Sequence, residues 1–383
     1  MELSFVPADF STGDLFPQEL PLELVRLGSR LGGGPFSARL DLRRMVDRDD
    51  LRGSAEIINM LQEGATSIVP IQAATDANGN PLSVALGEWW LSKVVRSPGS
   101  PYLQLTGVEV PGYLDHVLMM HTLRADSVDP IATAREQIAA AFTVAQPAPI
   151  AFNPQSWVSQ TGARTAVDWS AGQNMFGRVV ESLRGGDLFE WHVDTGLSLD
   201  SNGAPTRVTR TLVMGEPTIR RPREGVALEY LKNGRGSITD FTVEGDVANR
   251  AFDFWTWGGG SGAKQLRARI QYTPPRRWPR IARTYAAPGV NKQEALNREA
   301  RRAHARSYNP VYASFPATGV MDRMAGGGPR IGYVHPWLVE PTLSYPTPIT
   351  EEDGARVRIV EWSWTQPTAL VRETTTLQLV REA

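Results

Sequence analysis

GSITDFTVEGDVANRAFDFWTWGGGSGAKQLRARIQY, residues 236–272, is the stretch whose pattern decides the fold class. Ala251, Asp253, Trp255 and Trp257 alternate with Phe252, Phe254 and Thr256. Beyond the glycine-rich 258–262, Leu266, Ala268 and Ile270 alternate with Arg267, Arg269 and Gln271. Period two on both sides of a glycine-rich connection predicts two long strands folded back as a hairpin. The stretch carries no nucleophile–base pair and no set of metal ligands, so it reads as architecture rather than as a reaction site.

Outward from the hairpin, composition narrows the class. At 383 residues the chain is long enough for about two or three domains. Its 41% hydrophobic and 21% charged residues describe a soluble globular protein. The 35 Gly and 28 Pro exceed the usual combined share of about 12%, which suits many short strands joined by turns and argues against a helical bundle. Cysteine is absent, which excludes disulfides, thiolate catalysis and cysteine-held zinc or iron–sulfur sites. The opening MELSFVPADFSTG lacks a basic segment followed by an apolar one, and no apolar run approaches the ~18 residues of a membrane helix. Neither signal-peptide export nor stable membrane insertion is expected.

The net charge of −1 hides an asymmetry. Residues 264–306 carry 12 Lys or Arg against two acids, Glu294 and Glu299, and the rest of the chain is correspondingly acidic. Only four of the 40 basic residues are Lys. A GC-rich genome accounts for that bias, and the planar fork of Arg also suits polar contacts between subunits. The basic stretch could face nucleic acid, since Arg neutralises phosphates. A solvated helix face with inter-subunit salt bridges explains it equally well.

Along the chain, 25–42 contains a strand in which Phe36, Ala38, Leu40 and Leu42 share a face. A short helix is expected within 49–61, with Leu51, Ile58 and Leu61 on one side. Strands are expected at 68–73, 82–90, 91–96 and 102–110, an antiparallel meander suited to a small barrel. Asp129 caps a helix that opens with Pro130 and carries Ile131, Ala134, Ile138 and Ala141 as a stripe. Residues 188–199 and 206–214 flank an Asp-Ser-Asn-Gly turn as a second hairpin. A further helix spans 292–306, with Asn291 and Glu294 at capping-box spacing and Leu296, Ala300 and Ala303 on one face. The Gly- and Pro-rich 308–345 gives no clear pattern, and strands at 356–364 and 369–381 close the chain.

Residues that invite a chemical reading each have a plainer one. The run from Gly258 to Lys264 resembles a phosphate loop, but Ala263 replaces the second glycine, Gln265 replaces the Mg-binding hydroxyl, and a strand pattern follows where a helix is required. Glu190, His192 and Asp194 lie at i, i+2 and i+4, and His192 with Asp194 would need His304 or His335 to complete an iron triad. The plainer reading is the polar face of a half-exposed strand whose other face holds Trp191 and Val193. His116 and His121 have no acid in ligand register. Glu351, Glu352 and Asp353 could pair as glycosidase carboxylates, but adjacent acids in a polar turn are usually solvated. No catalytic, cofactor-binding or metal residue is therefore assigned.

Five segments in order resemble the tail-hub (minor tail) proteins of long-tailed phages, relatives of the trimeric central baseplate hub. They are FSARLDL at 36–42; GEWWL at 87–91 with YLQLTGVE at 102–109 and GYLD at 112–115; DPIATAR at 129–135; DVANR at 246–250 followed by the Ala- and Arg-rich helix; and VRIVEWSW at 357–364 with TTTLQL at 374–379. The resemblance implies a β-rich α+β fold of two small antiparallel β-barrel domains with an inserted mixed α/β part. Residues 1–118 would form the first barrel, 119–205 and 236–307 the insertion, and 206–235 with 308–383 the second barrel. It further implies a homotrimer, a virion tail-tip location and no enzymatic activity or cofactor. The implied partners are tail-tube, other minor tail and tape-measure proteins, with DNA passing transiently through the hub. Trp255, Trp257, Arg267, Arg269, Arg298 and Arg302 are the interface candidates. A wall-degrading phage enzyme and a carbohydrate-binding β-module, the latter favoured by 11 Trp, are the alternatives.

Overall fold

The structure, a computed structural model, describes residues 3–30, 32–45, 51–75, 81–97, 99–144, 151–152, 162, 164–184, 188–216, 219, 227–229, 238–241, 251–274, 279–287, 290, 292–308, 315–319, 342–344, 355–365 and 374–381. The chain opens with β1 (Leu3–Asp9), β2 (Leu22–Arg30) and β3 (Pro35–Asp41), then α1 (Leu51–Met60). The meander β4 (Thr66–Thr75), β5 (Pro81–Ala85), β6 (Trp89–Arg96) and β7 (Tyr102–Glu109) leads into a 3-10 segment, Val110–His116. β8 (Leu123–Val128), α2 (Pro130–Val144), β9 (Ala151–Phe152), β10 (Thr165–Trp169) and α3 (Phe176–Arg184) come next. The ribbon β11 (Glu190–Leu199) and β12 (Pro205–Gly215) precedes β13 (Ala227–Glu229) and β14 (Ile238–Phe241). β15 (Asp253–Trp257), β16 (Arg267–Gln271), β17 (Ala282–Ala286) and α4 (Gln293–Tyr308) follow, and β18 (Phe315–Gly319), β19 (Thr342–Ser344), β20 (Ala355–Thr365) and β21 (Thr374–Arg381) close the chain.

The fold is β-rich α+β, built on one 13-stranded sheet that curls into a half-barrel. Its order is β1-β4-β6-β7-β3-β2-β20-β21-β18-β14, with β5 beside β4, and β13 and β19 attached through β20. The two ends of the chain meet at the antiparallel pairing of Leu27–Arg30 with Glu361–Trp364. Alternation explains most of the first core: Leu22 and Leu24 of β2, Phe36, Ala38 and Leu40 of β3, and Leu103 and Leu105 of β7 turn to one side and are buried together, and a register shift after Leu24 returns Leu27 to that side. α1 closes that side with Ile57, joined by Leu61 just beyond its end, while Ile58 packs only partly.

A second core holds the helices. Ile131, Ala134, Ile138 and Ala141 of α2 pack with Phe176, Val179, Val180 and Leu183 of α3, with Leu114 and with Trp191 and Leu212 of the ribbon. α2 begins where its cap predicts, for the Asp129 carboxylate accepts from the N–H groups of Ile131 and Ala132 at 3.0 Å each. A third, smaller cluster of Ala8, Val69, Ile71, Ala85 and Val208 lays the ribbon against β1, β4 and β5.

The opening stretch divides differently from expectation. Its hairpin exists, with β15 antiparallel to β16 in register Asp253 to Gln271 through Trp257 to Arg267, but each arm is five residues and not long. Residues 238–241 instead join the large sheet as β14, paired with β18. Residues 242–250, and with them the DVANR segment, lie outside the described residues, as do Asn291 of the capping box, most of 308–345, Glu351 to Asp353 and the turn at 366–368. β17 adds parallel to β15 and makes the small sheet β16-β15-β17. α4 lies on one of its faces, where Leu296 and Ala300 bury against Ala268.

Candidate functional site

The face of that small sheet turned away from α4 gathers four of the six interface candidates. Directly paired residues point to the same side of a sheet, so Arg267 and Arg269 of β16 stand beside Trp257 and Trp255 of β15. The Arg267 guanidinium lies 5.1 Å from the Trp257 ring centroid, and that of Arg269 lies 4.8 Å from the Trp255 ring. The two indoles stand nearly parallel, 18° apart, with centroids 6.1 Å from each other. The result is a ladder of half-buried Trp and exposed Arg.

Asp253 anchors one end of the ladder. Its carboxylate accepts from Arg269 Nε at 2.8 Å and Nη2 at 2.6 Å, and from Arg280 Nη2 at 2.8 Å. The Arg269 hydrogen bonds, against the opposing effect of burial, hold this carboxyl below the ordinary carboxylate range, so it stays ionised at neutral pH. At the other end the connection closes through Gly258 N–H to the Leu266 carbonyl at 2.9 Å and Leu266 N–H to the Gly259 carbonyl at 3.0 Å. Gly260 takes a φ of +94°, which only glycine adopts readily. With strand β16 following, the glycine run serves as a hairpin connection. Arg298 is exposed on α4, on the far side of the sheet from the ladder, and Arg302 shares that helix while its side chain lies outside the described residues.

The Glu190, His192 and Asp194 strand is more buried than the half-exposed face expected of it. His192 is fully buried and Glu190 nearly so, because the ribbon sits on the large sheet with both sides covered at this end. Among the described residues no second histidine is brought to a shared metal site with His192, whose Nε2 lies 3.7 Å from Oε1 of Glu109. Among the described residues no cluster of three or more His, Asp or Glu could hold a metal ion. His335 lies outside the described residues, as does the His304 side chain.

Two buried carboxylates at this junction were not anticipated. Glu109 accepts from Ser29 Oγ at 2.7 Å and from Gly34 N–H at 3.0 Å, and burial pushes its carboxyl up to about 7 despite those bonds. A Cβ at Gly34 would overlap the Gly28 backbone, so glycine is what lets this N–H reach the carboxylate. Glu88 accepts from Arg210 Nε at 2.6 Å and Nη2 at 2.5 Å and from Ser67 Oγ at 2.5 Å, with both charged side chains fully buried. The Arg210 guanidinium also lies over the Phe10 ring at 4.7 Å. These pairs tie the ribbon to the large sheet. The sequence did hold a signal, since an acid inside LGEWWL or VEV is flanked by residues that must be buried. A cleft of about 150 Å³, lined by Asp115, Glu181, Arg184 and Glu190 among others, opens nearby.

No protein-family model matches the sequence, and no curated protein is similar to it in sequence. Solved structures are similar in fold. The tail protein from Neisseria meningitidis MC58 superposes with a TM-score of 0.56 at 13% identity, covering 99% of this chain and 96% of that one. The prophage MuSo2 43 kDa tail protein from Shewanella oneidensis gives 0.53 at 11% identity, covering 99% and 98%. A chain of the Francisella PdpA–VgrG complex gives 0.53 at 7% identity, covering 99% of this chain but 52% of that one. The fold is thus shared with these tail proteins and with a chain of the PdpA–VgrG complex.

Proposed function

We propose that this chain is a structural virion protein, a trimeric tail-tip hub that joins the tail tube to tip and receptor-binding components. The observation that carries this reading is the end-to-end likeness to two phage tail proteins, over 96% or more of both partners in each comparison. The hub is made in the host cytoplasm and carried at the tail tip. Its partners are two further copies of itself, tail-tube and other minor tail proteins and the tape-measure protein, with DNA passing through the assembled ring.

In this reading the sheet supplies two barrel units. The β1-β4-β6-β7-β3-β2 part belongs to the first, within 1–118, and the β20-β21-β18 part to the second, within 206–235 and 308–383. Residues 119–205 and 236–307 form the insertion, and the boundary at 205 falls at the turn of the β11–β12 ribbon. Three copies then present six similar barrels to a hexameric tube. The work is done by interfaces and not by catalysis, with Trp255, Trp257, Arg267, Arg269, Arg298 and Arg302 as the candidates. The two ladder indoles each already have a guanidinium over a face, which takes these two out of the stacking platforms a carbohydrate module would use.

Light scattering on the purified full chain tests the reading. A mass near three chains is expected, and a chain that stays single at all concentrations contradicts it. Clearing of purified cell walls by the same protein would contradict the non-enzymatic role.

A further inference from the structure

The ladder does not fill its face of the small sheet. In the register of β15 with β17, Asp253, Trp255 and Trp257 pair with Ala282, Thr284 and Ala286. All three β17 residues are exposed and small. The face is therefore a step, with two indoles as its wall and a strip of Ala, Thr and Ala as its floor. Among the described residues β17 pairs only with β15, so among them its other edge is unpaired.

The chemistry of the step selects its occupant. Guanidinium groups lie over the Trp rings, so a base or a sugar would have to displace an arginine to stack. Asp253 already occupies Nε and Nη2 of Arg269 and Nη2 of Arg280, so the face offers separated guanidinium donors and not a continuous track for phosphates. What the step offers is guanidinium N–H groups, indole edges and a shallow small-residue floor. Its complement is a protein surface that brings carboxylates to the arginines and an apolar side chain to the floor. The chain itself supplies such charge: residues 264–306 hold 12 of its 40 basic residues and two of its 41 acids, which leaves 28 basic against 39 acidic elsewhere.

We propose that the step formed by Trp255, Trp257, Arg267, Arg269 and the Ala282–Ala286 strand seats an acidic surface of a second copy of this chain. This rests on the trimeric reading above and adds to it which face is used and how the contact closes. A basic face meeting a different, acidic face is a heterologous contact, and repeated by rotation it generates a ring. Arg298 and Arg302 lie on the helix across the sheet and take no part in it.

Two single substitutions test the proposal in the full-length protein. Thr284→Trp fills the floor from an exposed strand position, and Arg267→Glu reverses a charge whose guanidinium donates a 3.3 Å hydrogen bond to the Gly262 carbonyl. Lys93→Glu, at an exposed position of β6, is the charge-matched control away from the face. Mass against concentration is measured by light scattering at low and high salt, with circular-dichroism melting to confirm that each variant is folded. Expected are a wild type of three chains that loosens as salt rises, and Thr284→Trp and Arg267→Glu weakened by at least about tenfold, with Lys93→Glu unchanged. Trimers that persist in both face variants, or equal weakening by Lys93→Glu, overturn the proposal and leave the trimeric reading standing. Variants that stay trimeric but lose retention of single-stranded DNA would assign the step to nucleic acid and overturn it too. A wild type that is single at every concentration overturns both readings.

Discussion

Glu109 shows how one carboxyl makes the junction between ribbon and sheet sensitive to pH. Burial raises it to about 7, above the ordinary 4.5, so the folded chain prefers the protonated acid. Stability from this group is full below pH 4.5 and is lost as pH rises through about 7. The loss amounts to about 3 kcal/mol. Urea unfolding at pH 5 and pH 8 should show about 2.5 kcal/mol of that difference in the wild type, and Glu109→Gln should flatten it; an unchanged slope in the variant would contradict the assignment. The neighbouring Arg210 and Glu88 are fully buried and paired, so removing one partner strands the other's charge. Arg210→Met should cost about 3–5 kcal/mol, and adding Glu88→Gln should restore most of it. A double variant no better than the single would show that packing against Phe10, not charge, dominates.

At the scale of elements, local patterns were legible where they carried their own signal. α2 announced both its cap and its stripe, and Asp129→Ala should cost about 1 kcal/mol in thermal or urea unfolding because two N–H groups lose their acceptor. The β11–β12 ribbon was readable from its alternation and its turn, where Asp200 accepts from Asn202 N–H and Ala204 N–H at 2.8 Å. α3 has no counterpart among the expected elements although Phe176, Val179, Val180 and Leu183 hold the i, i+3, i+4, i+7 spacing, for nine residues give the period little room to declare itself. β17 could not be read, since its exposed residues carry no alternation and its parallel pairing with β15 is made across a distant segment. The Trp–Arg ladder was half legible: the four residues were named as interface candidates, but their stacking and the small-residue floor depend on cross-strand register.

For the whole molecule, the least legible feature is the one that unites it. Pairing of β2 with β20 brings residues more than 300 positions apart into one sheet, and nothing in either strand names the other. Likewise the buried acids Glu88 and Glu109 meet Arg210 and His192 of the ribbon from over 80 positions away, and neither partner is marked in the local sequence. What sequence did yield at this scale was segment order, and the end-to-end likeness to phage tail proteins agrees with it. The central claim is that the chain is a structural hub at a tail tip. Imaging the intact particle and locating this chain tests it most directly. Three copies arranged about the tail axis below the tube are predicted; purified particles that lack the chain would contradict the account.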